Sequence, residues 1–127
     1  GGPAPVCTLS AYGYMSELCA QAMLTLAYED EIFCQLVIPT RLSPFDTTAL
    51  VESVEATRNL VIVEEGTITM GWGAEVASLT AEAMGSRLKN VSRVAARQTP
   101  IPAAPTLEAS TLPQVTDIVN AVRKQVG

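Results

Sequence analysis

No histidine occurs anywhere in the 127 residues. That removes the commonest general base at neutral pH, and with it a Ser-His-Asp triad, a Cys-His pair and any His-based metal site. Charge is scarce too: 17% of residues are Asp, Glu, Lys or Arg against 48% apolar, and aromatics make up only 5%. The eight basic residues are scattered, the densest group is Arg123-Lys124, and the net charge is −5. Nucleic-acid phosphates need clustered Lys and Arg, so no nucleic-acid partner is expected. No apolar run reaches the roughly 18–20 residues that cross a bilayer. The longest, Leu18–Tyr28, is interrupted by Gln21 and Thr25, and no membrane partner is expected. Phosphate-cradling glycine patterns are missing as well, since Gly71-x-Gly73 has no third glycine at the required spacing. Catalysis by this chain alone is therefore not expected.

Cysteine is sparse. Cys7, Cys19 and Cys34 form no metal-ligand spacing and leave an odd count. Each sits in an apolar segment, which predicts buried, reduced thiols and a reducing compartment. The start has no basic region leading into an apolar stretch, so the chain is not read as secreted. It opens Gly1-Gly2-Pro3 without an initiator Met. Residues 1–127 are read as a single domain, a C-terminal fragment of a longer subunit.

What is present is apolar, and it is patterned. The mean hydropathy of +0.27 leaves apolar surface in excess, which points to protein interfaces. Val6–Ala11 reads as a strand, broken by Gly13. Ser16 then serves as the N-cap of a helix to about Glu29, with Leu18, Ala22, Met23, Leu26 and Ala27 on its apolar positions. Ile32–Pro39 is a second strand. Asp46 caps a helix that buries Leu50, Val51 and Val54 and closes at Arg58-Asn59. Leu60–Val63, continuously apolar, fits a central parallel strand covered on both faces. A third helix begins at Gly73 or just before it, and Val91–Ala95 is a short fourth strand. Thr99–Pro113 holds Pro100, Pro102, Pro105 and Pro113, so it is expected to be a long extended connection laid over the surface. Val115–Lys124 forms the last helix, with Ile118, Val119 and Val122 inward. Strands alternating with helices give an α/β fold with a mostly parallel sheet of four to five strands.

The candidate functional residues cluster after the central strand. Glu64 and Glu65 stand at its carboxyl end, where open α/β sheets gather ligands. The plainer alternative, and the preferred one, leaves one glutamate solvated while the other accepts a hydrogen bond from the neighbouring loop or helix N-terminus. Glu75, in a first helical turn, suits the macrodipole. Trp72, the only tryptophan, lies between Gly71 and Gly73. It serves equally well as an interface anchor or in local packing. Tyr12 and Tyr14 are assigned to core packing.

Several pieces in fixed order resemble the C-terminal domain shared by transketolase-like thiamine diphosphate enzymes, and in particular the beta subunit of the decarboxylating component of 2-oxo acid dehydrogenase complexes. These are Tyr12-Gly13 before an Ala-rich helix, Leu42-Ser43-Pro44-Phe45-Asp46, and Val63-Glu64-Glu65-Gly66 followed by Gly71-x-Gly73-Ala74-Glu75. The rest are Thr99-Pro100-Ile101-Pro102, Leu107-Glu108 and Leu112-Pro113. The resemblance implies a three-layer α/β/α sandwich whose antiparallel edge strand would lie upstream of Gly1 and so be missing here. It implies an assembly domain that binds no cofactor itself. Thiamine diphosphate and magnesium would sit elsewhere in a parent that decarboxylates a 2-oxo acid and passes the acyl group to a lipoyl carrier. The implied partners are an alpha subunit, a second beta subunit of a heterotetramer and a lipoyl acyltransferase core. The implied location is the bacterial cytoplasm or the mitochondrial matrix. The contact would run through Glu64, Glu65, Gly66, Gly71, Trp72, Gly73 and Glu75. Thr67 stands where several family members carry histidine, which leaves the substrate open between pyruvate, a branched-chain oxo acid and acetoin. The alternatives are a transketolase-like or deoxyxylulose-phosphate-synthase-like enzyme and a stand-alone interaction module.

Overall fold

The computed structural model describes residues 3–39, 47–67, 71–101 and 104–127, with backbone alone over 66–67, 97–101 and 104–110. Nine regular elements follow in order: β1 (Cys7–Ser10), α1 (Tyr14–Asp30), β2 (Cys34–Val37), α2 (Thr48–Thr57), β3 (Asn59–Thr67), α3 (Trp72–Met84), β4 (Asn90–Ile101), β5 (Ala104–Thr111) and α4 (Val115–Val126). A single 3-10 turn, Gly85–Arg87, links α3 to β4.

The strands form one sheet in the order β2-β1-β3-β4-β5. The first four run parallel, and β5 pairs antiparallel with β4. From β1 the winding goes outward to β2, and from β3 it goes the other way to β4. The strand order thus reverses between β1 and β3, which makes their carboxyl ends the switch point of the sheet.

Alternation along the strands sorts the core into two layers. Cys7, Leu9, Ala11, Val61 and Val63 pack under α1 and α4, against Leu18, Leu26, Ile118 and Val122 among others. Leu60 and Ile62 point the other way, onto Leu50 and Val54 of α2 and Val76 and Met84 of α3. Each such buried aliphatic side chain contributes about 1.5–3 kcal/mol. One buried polar cluster ties β1 to α2: the Thr8 hydroxyl lies 2.8 Å from that of Ser53 and 2.7 Å from that of Thr57. On the opposite side, Arg123 of α4 donates to Asp30 at 2.5 Å and to Glu29 at 2.9 Å, joining α4 to the end of α1.

The structure corrects the sequence reading at several points. Helix α1 starts at Tyr14 with Gly13 as its cap, at φ 61°, a conformation that glycine alone adopts without strain. Ser16 lies inside the first turn, where its hydroxyl donates to the Gly13 carbonyl at 2.6 Å. Tyr14 is not a core residue; it is 56% exposed. The antiparallel edge strand is not missing, because it is β5, built from the proline-rich segment expected to be a connection. Prolines are tolerated there because the segment is paired on one edge: the β3–β4 ladder runs from Asn90 and ends at Ala96, and residues 97–101 of β4 pair with β5. The fourth strand is accordingly twelve residues long. The Asp46 cap and its Pro44-Phe45 turn lie outside the described residues. The end of α2 matches the expectation: Arg58 adopts the left-handed conformation and its N–H donates to the Val54 carbonyl at 2.6 Å.

Candidate functional site

Strand β3 carries the site out of the sheet. Its pairing with β4 runs in register to Val63 and resumes at Thr67, so Glu64–Gly66 occupy an irregularity of the ladder. Bulges of this kind re-aim side chains next to functional positions. Here the two glutamates separate. Glu65 is exposed, whereas Glu64 is 1% exposed and fully engaged.

Glu64 accepts two hydrogen bonds from different elements. One comes from the backbone N–H of Gly73 in the first turn of α3, at 2.5 Å, and the other from Arg93 Nη2 of β4, at 3.0 Å. The first satisfies one of the orphan N–H groups of a helix start and places negative charge at the positive end of the dipole. The second neutralises the carboxylate with a guanidinium that is itself four-fifths buried. Gly73 is required by this closeness: a Cβ there would stand 2.9 Å from Glu64 Oε1 and 3.0 Å from Arg93 Nε.

Gly71 supplies the extended N-cap of α3, and Trp72 is its first residue. The indole meets the Tyr12 ring edge to face, with centroids 5.0 Å apart and planes at 84°. Tyr12 directly follows β1 and Trp72 opens α3, so the ring pair closes over the switch point between β1 and β3. Trp72 also packs on the α2–α3 side of the core. Glu75 is exposed in the first turn of α3. Gly66 lies within β3.

The structure therefore gathers Glu64, Gly71, Trp72 and Gly73 into one knot, while Glu65 and Glu75 face solvent. Two members escaped the sequence reading. Tyr12 was read as core, and Arg93 went unremarked. The signal for Arg93 was its position in Val91-Ser92-Arg93-Val94-Ala95, since a guanidinium in an apolar strand needs a buried carboxylate. The knot is a positioning device: it fixes the start of α3 against the ends of β3 and β4.

An open parallel sheet wound both ways from a switch point, covered by helices on each face, defines a class of α/β domains in which strand ends and following loops make the contacts. The comparisons with known proteins narrow this. The family model for the transketolase C-terminal domain matches residues 3–118, and the chain belongs to that family. It is 38% identical over 96 residues to the pyruvate dehydrogenase E1 component subunit beta of Rickettsia felis, a match covering 75% of this chain and 29% of the relative. It is 34% identical over 121 residues to the mitochondrial 2-oxoisovalerate dehydrogenase subunit beta 2 of Arabidopsis thaliana, covering 94% and 33%. It is 33% identical over 118 residues to the beta subunit of acetoin:2,6-dichlorophenolindophenol oxidoreductase of Cupriavidus necator, covering 92% and 35%. The chain thus spans about a third of the length of these relatives. A solved structure described as a split gene transketolase, an inactive beta4 tetramer, superposes with a TM-score of 0.76 at 25% identity, over 98% of this chain and 40% of that one. Among the described residues no helix is long and apolar enough to cross a membrane.

Proposed function

We propose that this chain is the C-terminal assembly domain of the beta subunit of a thiamine-diphosphate-dependent 2-oxo acid dehydrogenase. The parent oxidatively decarboxylates a 2-oxo acid and delivers the acyl group to a lipoyl carrier. Its partners are an alpha subunit, a second beta subunit and a lipoyl acyltransferase core, in a bacterial cytoplasm or a mitochondrial matrix. What carries the reading is the match to beta subunits over three quarters or more of this chain.

In this reading the domain assembles and does not itself react. Glu64, buried at the switch point, is engaged by the Gly73 N–H and by Arg93. Magnesium binds oxygen ligands, largely carboxylate and phosphate. Among the described residues no three Asp, Glu, Cys or His groups converge as such a site requires. The proposal places the metal and the diphosphate in other parts of the parent. The contact surface in this proposal comprises exposed Glu65 and Glu75 together with Glu64, Gly71, Trp72 and Gly73, and Gly66 within β3.

The test is to pull down the parent subunit with its natural partners, identify the co-purifying chains, and repeat with this domain deleted. The expected result is a much larger beta chain that brings a thiamine-binding alpha chain and a lipoyl acyltransferase, and that loses the alpha chain on deletion. Unchanged association after deletion, or a single sugar-phosphate enzyme without those partners, overturns the reading.

A further inference from the structure

The three cysteines are far apart in sequence, yet all contribute to one apolar layer. Cys7 on β1 and Cys34 on β2 are direct partners in the parallel ladder. Residues paired this way point to the same face, and both side chains join the cluster under α1 and α4. Cys19 of α1 belongs to that cluster too. Adjacent strands lie about 4.8 Å apart, within the roughly 4.4–6.8 Å between α-carbons that a disulfide spans.

The two sulfurs of the ladder pair are chemically unequal. Cys7 is wholly buried, whereas Cys34 is only partly buried, on the edge strand β2. The Cys7 S–H donates to the Thr8 carbonyl at 3.8 Å and to Gln125 Oε1 at 3.9 Å; the neighbouring Cys34 and burial push the Cys7 thiol far up, while Cys7 lowers Cys34. A partly accessible thiol beside a wholly buried one is the arrangement of an attacking and a resolving cysteine.

We propose that Cys34 and Cys7 form a dithiol modification site that takes hydroperoxides, with Cys34 attacking and Cys7 resolving to an intrachain disulfide between β2 and β1. In the first step the Cys34 thiolate attacks the peroxide oxygen. An S–O bond forms, the O–O bond breaks, sulfur loses two electrons, and the alkoxide or hydroxide released takes a proton from water. In the second step Cys7 sulfur attacks Cys34 sulfur. The S–S bond forms, the S–O bond breaks, and the departing hydroxide leaves as water with the Cys7 proton. Two equivalents of a small thiol reverse the modification by exchange. The site does not depend on which 2-oxo acid the parent consumes.

The experiment treats the full chain with hydrogen peroxide, alone and in the Cys19→Ala and Cys34→Ala variants. Intact mass, non-reducing electrophoresis and peptide mapping follow. The expected product is a monomer that has lost two hydrogens, with the Cys7 and Cys34 peptides linked, formed equally in Cys19→Ala and restored by dithiothreitol. Cys34→Ala, at a partly exposed position that spares the core, should lose the product altogether. A bridge to Cys19, a disulfide-linked dimer, Cys34 running on to its sulfinic acid in the folded protein, or no mass change would each overturn the proposal.

Discussion

The backbone N–H of Gly73 donates to the carboxylate of Glu64 at 2.5 Å, fastening the first turn of α3 to the end of β3. The two lie nine positions apart in sequence, and the bond ties the end of β3 to the start of α3. Both the lack of a side chain at 73 and an acceptor oxygen at 64 are needed for it.

Gly73→Ala should therefore be costly for a surface-proximal helix start. The added methyl would meet Glu64 Oε1 and Arg93 Nε at 2.9 and 3.0 Å, and both groups are held by each other. Overpacking of this kind costs about 1–3 kcal/mol. Urea unfolding should show the midpoint fall with the slope unchanged; an unaltered midpoint would show that the Glu64–Arg93 pair yields without cost.

Removing the carboxylate should cost more. Glu64→Ala leaves Arg93 buried opposite an apolar group, and breaking one side of such a pair costs about 3–5 kcal/mol. Glu64→Gln keeps an acceptor for Gly73 and should cost less. Glu64→Leu with Arg93→Met should recover part of the loss, because no orphan charge remains. Equilibrium unfolding of the set checks the order, and a double variant weaker than Glu64→Ala would contradict it.

The pair between Asp30 and Arg123 predicts an acid-side effect. Hydrogen bonding to the Arg123 guanidinium holds the Asp30 carboxyl below its usual value of 3.8. A depressed carboxylate contributes stability that is fully present above the unfolded value, about pH 4, and is lost as pH falls through the folded one. The stability gap between the wild type and Arg123→Ala should accordingly be present at neutral pH and shrink below pH 4. Thermal melts across that range read it directly, and a gap that grows on acidification would reverse the sign.

Thiol labelling should be selective. Burial pushes the Cys19 thiol up to about 12, and Cys7 is raised further, while Cys34 is lowered and partly accessible. Under native conditions near pH 8, a disulfide reagent should modify Cys34 alone, with Cys7 and Cys19 reacting only after unfolding. Cys34→Ala should abolish the native reaction. Rapid native labelling of Cys19 would contradict the packing described here.

The legible parts of the sequence were those governed by local chemistry. Leu60–Val63 announced a strand buried on both faces, and Val115–Lys124 announced its inward residues, since periodicity needs no knowledge of neighbours. The preferred fate of the glutamate pair, one exposed and one bonded to a helix N-terminus, also followed from local rules. What escaped was non-local. Arg93 gains its meaning from Glu64 on the next strand, and the partnership of Cys7 with Cys34 exists only once β1 and β2 are in register. Strand β5 was hidden by prolines that exclude a central strand but not a ribbon paired on one edge. The start of α1 was displaced because Gly13 caps by backbone shape and presents no side chain to recognise.

The sheet divides the interior into two chambers that share a wall of backbone but no side chains. Cys7, Leu9 and Val61 answer to α1 and α4, whereas Leu60 and Ile62 answer to α2 and α3. A cavity made on one side is relaxed by neighbours on that side, so Leu26→Ala and Val54→Ala should sum in their effects on unfolding, while two truncations in one chamber should not. Packing on the α2–α3 side, which carries Trp72, can therefore change without repacking the thiol-bearing side.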